Sequence, residues 1–283
     1  MPKNKKTILV TGSLVYDRIM DFPGYFKDHI MPDKIHILNV SFAVNNIRES
    51  FGGTAGNIAY NLSLLGEKSA ILSAVGNDFS GYKKWLLKNK IDISGVKIIK
   101  NKNTASCYII TDKDDNQITG FHGAVLYQPR GSFTNVIASL AASARRGDLG
   151  RARSPRLLRR SWQAPRNDIM AIIAPGNIKD MENYARFYKK ANIKYIFDPG
   201  QQITALSSVS LKSGIKGAEI LIGNDYEISL ISKKTGWTTK DLIDKVNMLI
   251  ITKGEKGSEI YSRNKTPLHP CLSGRQALYA KGA

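Results

Sequence analysis

The chain has 283 residues and a mass of 31.3 kDa, with 42% hydrophobic and 23% charged residues; this is ordinary for a globular protein and excludes a collagen-like, coiled-coil or wholly disordered chain. The formal net charge of +19 would suggest a polyanionic partner, but nine of the 14 arginines fall between Arg130 and Arg166, where Asp148 is the only acid. No run approaches 18 consecutive apolar residues, so no membrane span is expected, and two distant cysteines, Cys107 and Cys271, cannot make a disulfide framework, which leaves the cytoplasm as the expected compartment.

Residues 6–12 read as a short apolar strand. Thr11, Gly12 and Ser13 interrupt the run Ile8-Leu9-Val10, so this is a buried first strand and not a signal peptide. Residues 18–50 alternate loosely around Pro23, Gly24 and Pro32, which suits twisted strands and loops. The turn Gly52-Gly53-Thr54-Ala55-Gly56-Asn57 opens a helix carried by Ile58, Leu62 and Leu65 and closed at Gly66. A strand at 69–75, a turn at Gly76-Asn77-Asp78 and a helix at 82–89 follow, then short strands at 96–100, 106–111 and 117–121. After residue 168 come strands at 169–174, 194–197, 218–222, 248–252 and 258–261, with helices at 179–191, 225–234 and 239–245. This alternation predicts an α/β core over residues 1–265, its sheet mostly parallel and covered by helices on both faces, plus an accessory β element from about 18–50 and 96–122.

Residues 126–167 stand apart. Outside the stretch from Arg130 to Arg166, lysine outnumbers arginine by 28 to 5; inside it there is no lysine. Three readings compete: a nucleic-acid-binding insertion, a solvated loop, or foreign sequence such as an out-of-frame translation. The third is preferred, because residue bias tracks the base composition of a reading frame. Nucleic-acid binding is disfavoured because Trp162 is the only aromatic between residues 138 and 166 and offers no run of stacking platforms. Residues 266–283 carry no acid and no strand or helix period.

In open α/β sheets ligands bind beyond the carboxyl ends of the strands. The residues expected there are Asp17, Gly53 and Asn57, then Asn224 and Glu227, then Thr252, Gly254 and Gly257. Each has a purely structural alternative. Asp17 could serve a turn, and the Gly-Gly-x-x-Gly-Asn run could be tight backbone geometry. Asn224 and Glu227 have the spacing of a capping box, and Thr252-x-Gly-x-x-Gly could be a hairpin corner. The four histidines form no metal-ligand spacing, and no Gly-x-x-x-x-Gly-Lys-Ser/Thr phosphate loop occurs.

In order, Gly12–Asp17, Ser50–Asn57, Gly76–Gly81, Asp198-Pro199, Asn224–Glu227 and Thr252–Gly257 resemble the signatures of the ribokinase-like sugar and nucleoside kinases of the PfkB group, which includes adenosine kinase. The resemblance covers residues 6–125 and 168–265, and residues 17–57 look most like the nucleoside kinase branch. It implies a ribokinase-like doubly wound parallel sheet with helices on both faces and a small β lid. It implies transfer of the ATP γ-phosphoryl group to a primary hydroxyl of a nucleoside or a sugar. Asp17, Gly53 and Asn57 would then hold sugar hydroxyls; Asn224 and Glu227 would organise Mg²⁺, Glu227 through water; Thr252, Gly254 and Gly257 would line the ATP site. The lid would exclude water and mediate a homodimer. The family's Gly-Ala-Gly-Asp motif supplies an anion hole and the catalytic base. It does not occur in these 283 residues, so the C-terminal part reads as truncated and turnover is in doubt. The alternatives are a sugar kinase acting on ribose or a fructose phosphate, and an inert small-molecule binder.

Overall fold

A computed structural model describes residues 7–123 and 169–263 and the backbone of 265–271. The arginine-rich stretch 126–167 lies outside the described residues, as do residues 272–283.

Strand β1 (Thr7–Thr11) leads into β2 (Val15–Asp21) and, after two short 3-10 turns, β3 (Ile47–Gly52). Helix α1 (Thr54–Leu64), β4 (Lys68–Val75), α2 (Ser80–Lys88) and β5 (Asp92–Ile98) follow, then β6 (Ala105–Thr111) and β7 (Gln117–His122). The second half runs β8 (Ile169–Ile173), α3 (Ile178–Lys190), β9 (Lys194–Phe197), α4 (Ser208–Ile215), β10 (Ile220–Asn224), α5 (Asp225–Thr235), α6 (Thr239–Lys245), β11 (Met248–Thr252), β12 (Ser258–Ser262) and β13 (Lys265–Cys271).

Nine strands form one sheet in the order β13-β12-β11-β10-β9-β8-β1-β4-β5, parallel except for β12 and β13. Apolar runs such as TILVT, IMAII and MLIIT fit strands buried between layers. Alternate residues of the strands feed two cores. Val10, Ile71 and Val75 pack with Ala55 and Ala59 of α1 and Tyr82 and Leu86 of α2. Leu9, Ala171, Phe197, Leu221 and Leu249 pack with α3–α6, where Met181, Tyr184, Ala185 and Tyr188 line one stripe of α3. The chain therefore winds outward from β1 through β4 to β5, returns to β8 on the other side of β1, and winds the opposite way to β11. The strand order reverses between β1 and β8.

Both faces carry helices, as expected, but not over the whole sheet. Among the described residues no helix covers the second face of β8–β12, where Ile172, Ile196, Ile222, Ile250 and Ile260 are only half-buried.

The second sheet, β3-β2-β6-β7, stands over the carboxyl end of β1. Its tip has a small core of its own, with Phe22, Phe26 and Phe42 at centroid distances of 4.9–5.9 Å. The Asp112 carboxylate ties this tip to the β6–β7 turn, accepting hydrogen bonds from the N–H groups of Phe26 (2.9 Å), Asp114 (3.0 Å) and Asn116 (2.9 Å). Burial alone would raise the pKa of Asp112, but these bonds hold it below the usual carboxylate range.

Two expectations need correction. Residues 96–98 belong to β5, at the edge of the main sheet, because Val96 pairs with Ser73 of β4; the second half of the lid starts at Ala105. The stretch after 265 does contain a strand: β13 pairs with β12, with two register shifts. Pro267 and Pro270 hid it, since proline is tolerated only on an edge strand of this kind.

Candidate active site

Asp17, in the middle of β2, faces Ser50 of β3 on one side and Cys107 of β6 on the other. Its carboxylate lies against the Gly52 backbone: a Cβ on Gly52 would stand 1.9 Å from Oδ2. Gly53 follows at φ +88°, its Cα facing the Ser13 carbonyl and the Val15 N–H; a Cβ there would meet them at 2.6 and 2.8 Å. Asp17 and Gly53 are thus brought to one turn, and Asn57, exposed, lies one turn into α1, its N–H bonded to the Gly53 carbonyl at 2.9 Å. Burial raises the pKa of Asp17. Burial, with the Asp17 charge added, also raises that of the Cys107 thiol, which is therefore a poor nucleophile. From below, the buried Tyr82 hydroxyl donates to the Gly52 carbonyl at 2.7 Å.

On the other side of β8, Asn224 ends β10 and pairs in register with Thr252, the last residue of β11. Asn224 Oδ1 accepts from the Glu227 N–H, and Glu227 Oε2 from the Asn224 N–H, both at 2.8 Å. This is the capping box that the spacing allowed, and it starts α5. Thr252–Gly257 is a hairpin corner: Lys253 N–H donates to the Gly257 carbonyl at 2.8 Å, with Gly254 at φ +57° and Gly257 at φ +83°. The Lys253 ammonium is paired with Glu259, which also accepts from Tyr261 at 2.8 Å. Both structural alternatives are therefore realised, and both still leave one oxygen-bearing cluster above adjacent strand ends.

Asp198 joins this cluster and was given no role from sequence. It directly follows β9, and its pKa is pushed up to about 6 by burial and then by the neighbouring Glu227 charge, partly offset by the Gly200 N–H. Only the Asp-Pro pair following a strand hinted at it. The two clusters lie on either side of the β1/β8 reversal. This is where an open α/β sheet offers its crevice.

Residues 7–145 match the pfkB family of carbohydrate kinases. A nucleoside kinase from Methanocaldococcus jannaschii is 31% identical over 250 residues, which span 87% of this chain and 72% of that protein. The chain belongs to the pfkB family. Among solved structures, this pfkB chain is similar to the Burkholderia thailandensis nucleoside kinase in complex with inosine, with a TM-score of 0.72 and 32% identity over 94% of this chain and 76% of the other. The same kinase in complex with ADP-inosine superposes with a TM-score of 0.70, at 33% identity over 94% and 75% of the two chains. The M. jannaschii structure, an archaeal member of the ribokinase family, gives 0.69 at 28% identity over 92% and 74%. The fold is ribokinase-like, and a kinase acting on a nucleoside or sugar is the function of the family. No helix among the described residues is long and apolar enough to cross a membrane.

Proposed function

We propose that this chain binds a nucleoside between the lid and the Gly52–Gly53 turn, and ATP with Mg²⁺ above β9–β11, for phosphoryl transfer to the nucleoside's primary hydroxyl. The observation that carries the choice of a nucleoside is a cross-strand row on the face of the lid that carries Asp17. Asp17 pairs with Cys107 and Cys107 with Phe121, so the three residues share one face. Phe121 is 50% exposed and lies two strand spacings, about 10 Å, from Asp17. A ribose on Asp17 would bring its base to that ring, and aromatic stacking is worth about 1–3 kcal/mol per base. A free sugar held by Asp17 is too short to reach that ring as well. Support also comes from the inosine complex of the B. thailandensis kinase.

Each residue then has a task. Asp17 accepts hydrogen bonds from adjacent sugar hydroxyls. Gly53, lacking a side chain, lets the sugar approach the backbone, and Asn57 offers both a donor and an acceptor. Thr252, Gly254 and Gly257 border the nucleotide, with open space around the Gly254 Cα. The oxygen-only set of Asp198, Asn224 and Glu227 suits Mg²⁺ held through water. Among the described residues no three His, Cys, Asp or Glu converge as a direct cage. When bound, Mg²⁺ offsets charge on the phosphoryl oxygens. The free edges β3 and β7 of the lid, with Ile47 and Ile118 exposed, are where a homodimer would form.

The alternative expected from the sequence, binding without turnover, is tested beside the kinase reading. Calorimetry with adenosine, inosine and ribose, paired with a phosphotransfer assay, separates the readings. Nucleoside binding with product supports the kinase, binding without product the alternative, and a preference for ribose the sugar kinase. Asp17→Ala should weaken nucleoside binding by about 1–3 kcal/mol; equal affinity would refute the assigned site.

A further inference from the structure

The N-terminus of α1 has no side-chain cap of its own, because the capping position is Gly53. Ser13, beyond the end of β1, serves instead. Thr54 N–H donates to Ser13 Oγ at 3.0 Å, Ser13 N–H donates to Thr54 Oγ1 at 3.0 Å, and Ala55 N–H donates to the Ser13 carbonyl at 3.0 Å. The Thr54 hydroxyl spends its proton on the Pro175 carbonyl at 2.7 Å. In the 3.2 Å contact between the two hydroxyls, Ser13 is therefore the donor. No donor of the pair is left over. Gly12 makes the approach possible: a Cβ there would stand 2.5 Å from Thr54 Oγ1 and 3.1 Å from the Ala55 nitrogen.

Pro175 follows β8, the first strand of the half that carries Asp198, Asn224 and Thr252, whereas Ser13 and Thr54 flank the Gly53 turn of the other half. One hydroxyl thus spans the reversal of strand order. A helix cap alone would need Ser13 and not Pro175, so the bond across to β8 calls for another explanation. We infer that Thr54 is a positioning residue that holds the Gly52–Gly53 turn, and with it the seat of Asp17, in a fixed frame relative to the β8 end. The inference rests on the substrate site proposed above. A hydroxyl that binds neither ligand would act on the nucleoside alone, because the turn it fixes belongs to that site.

The test compares the full chain with Thr54→Val, which keeps the shape and loses the hydroxyl, and Thr54→Ser, which restores it. Adenosine and ADP affinities are read by calorimetry, and amide exchange is read at Ser13 and residues 53–57. Thr54→Val should bind adenosine about 3- to 10-fold more weakly, the equivalent of one ordinary hydrogen bond, with ADP affinity unchanged within about twofold and faster exchange at those amides. Thr54→Ser should return both to wild type. Three outcomes overturn the inference: unchanged adenosine affinity in Thr54→Val, equal loss for adenosine and ADP, or no rescue by serine. Failure of the substrate site itself shows separately. If the wild type binds no adenosine, or Asp17→Ala binds it unchanged, that site is misassigned. The clamp is then judged on exchange alone, which supports it if faster in Thr54→Val and overturns it if unchanged.

Discussion

Gly56 shows how a single hydrogen atom can be required in place of a methyl group. In an exposed helix, alanine would be favoured over glycine by about 1 kcal/mol. Here a Cβ would stand 1.9 Å from the Tyr82 hydroxyl, 3.2 Å from its ring carbon and 3.3 Å from Leu14 Cδ2. Tyr82 has little room to retreat, because its ring stacks on Phe51 at 4.6 Å and its hydroxyl is bonded to the Gly52 carbonyl. Gly56→Ala should therefore destabilise the fold by about 1–3 kcal/mol, the usual cost of overpacking. Tyr82→Phe alone should cost about 1 kcal/mol by leaving a buried carbonyl unpaired. In the double variant the nearest clashing atom is gone, so the loss measured by urea unfolding should be smaller than the sum; a fully additive loss would contradict this geometry. The sequence marked Gly52–Asn57 as a tight turn, but it could not say why Gly52 and Gly56 must be glycine. The atoms that exclude a side chain belong to Asp17 on β2 and Tyr82 on α2, and only folding brings them there.

At the scale of elements, α5 joins structure to chemistry. Its capping box was legible because Asn and Glu three residues apart after a strand is a local signature. The state of Asp198 was not, since it depends on burial and on a carboxylate from a different strand–helix junction. Its native pKa of about 6 is raised above the unfolded value of about 3.9. The native state therefore holds the proton more tightly, and stability falls as pH rises between those two values and is level above. A divalent cation works in the opposite direction: it requires the ionised form and competes with the proton. Affinity for Mn²⁺, a spectroscopic stand-in for Mg²⁺, should rise with pH through about 6 and then level off, being about tenfold weaker at pH 5 than on the plateau. In Asp198→Asn this dependence should flatten. A profile unchanged in the variant would remove Asp198 from the cation site. Most strands and helices were legible from apolar runs and turn residues; α4 was not, and neither was the pairing of β5 and β13. Both are edge strands, whose partner is set by topology and whose sequence carries little apolar signal.

At the scale of the molecule, the two faces of the second half-sheet are unequal among the described residues. Ile172 pairs with Ile196, Ile196 with Ile220 and Ile220 with Met248, while Ile222 pairs with Ile250 and Ile250 with Ile260. The result is a continuous aliphatic ladder over five strands, all half-buried. Leu221 and Leu249 point to the other face and are 0% exposed beneath α3–α6. Neighbouring residues of one strand should therefore respond in opposite ways. Leu221→Ala should cost about 2–5 kcal/mol, the range for an aliphatic side chain lost from a packed core. Ile222→Lys should cost much less, because its long stem can lie along the ladder with the ammonium in water. The wild-type chain should also bind a fluorescent apolar dye in its native state, and Ile222→Lys should diminish that signal, since a broad apolar patch is what such dyes and other chains adhere to. Thermal unfolding with dye titration decides the matter. If Ile222→Lys unfolds the chain as readily as Leu221→Ala, the second face is as closely packed as the first.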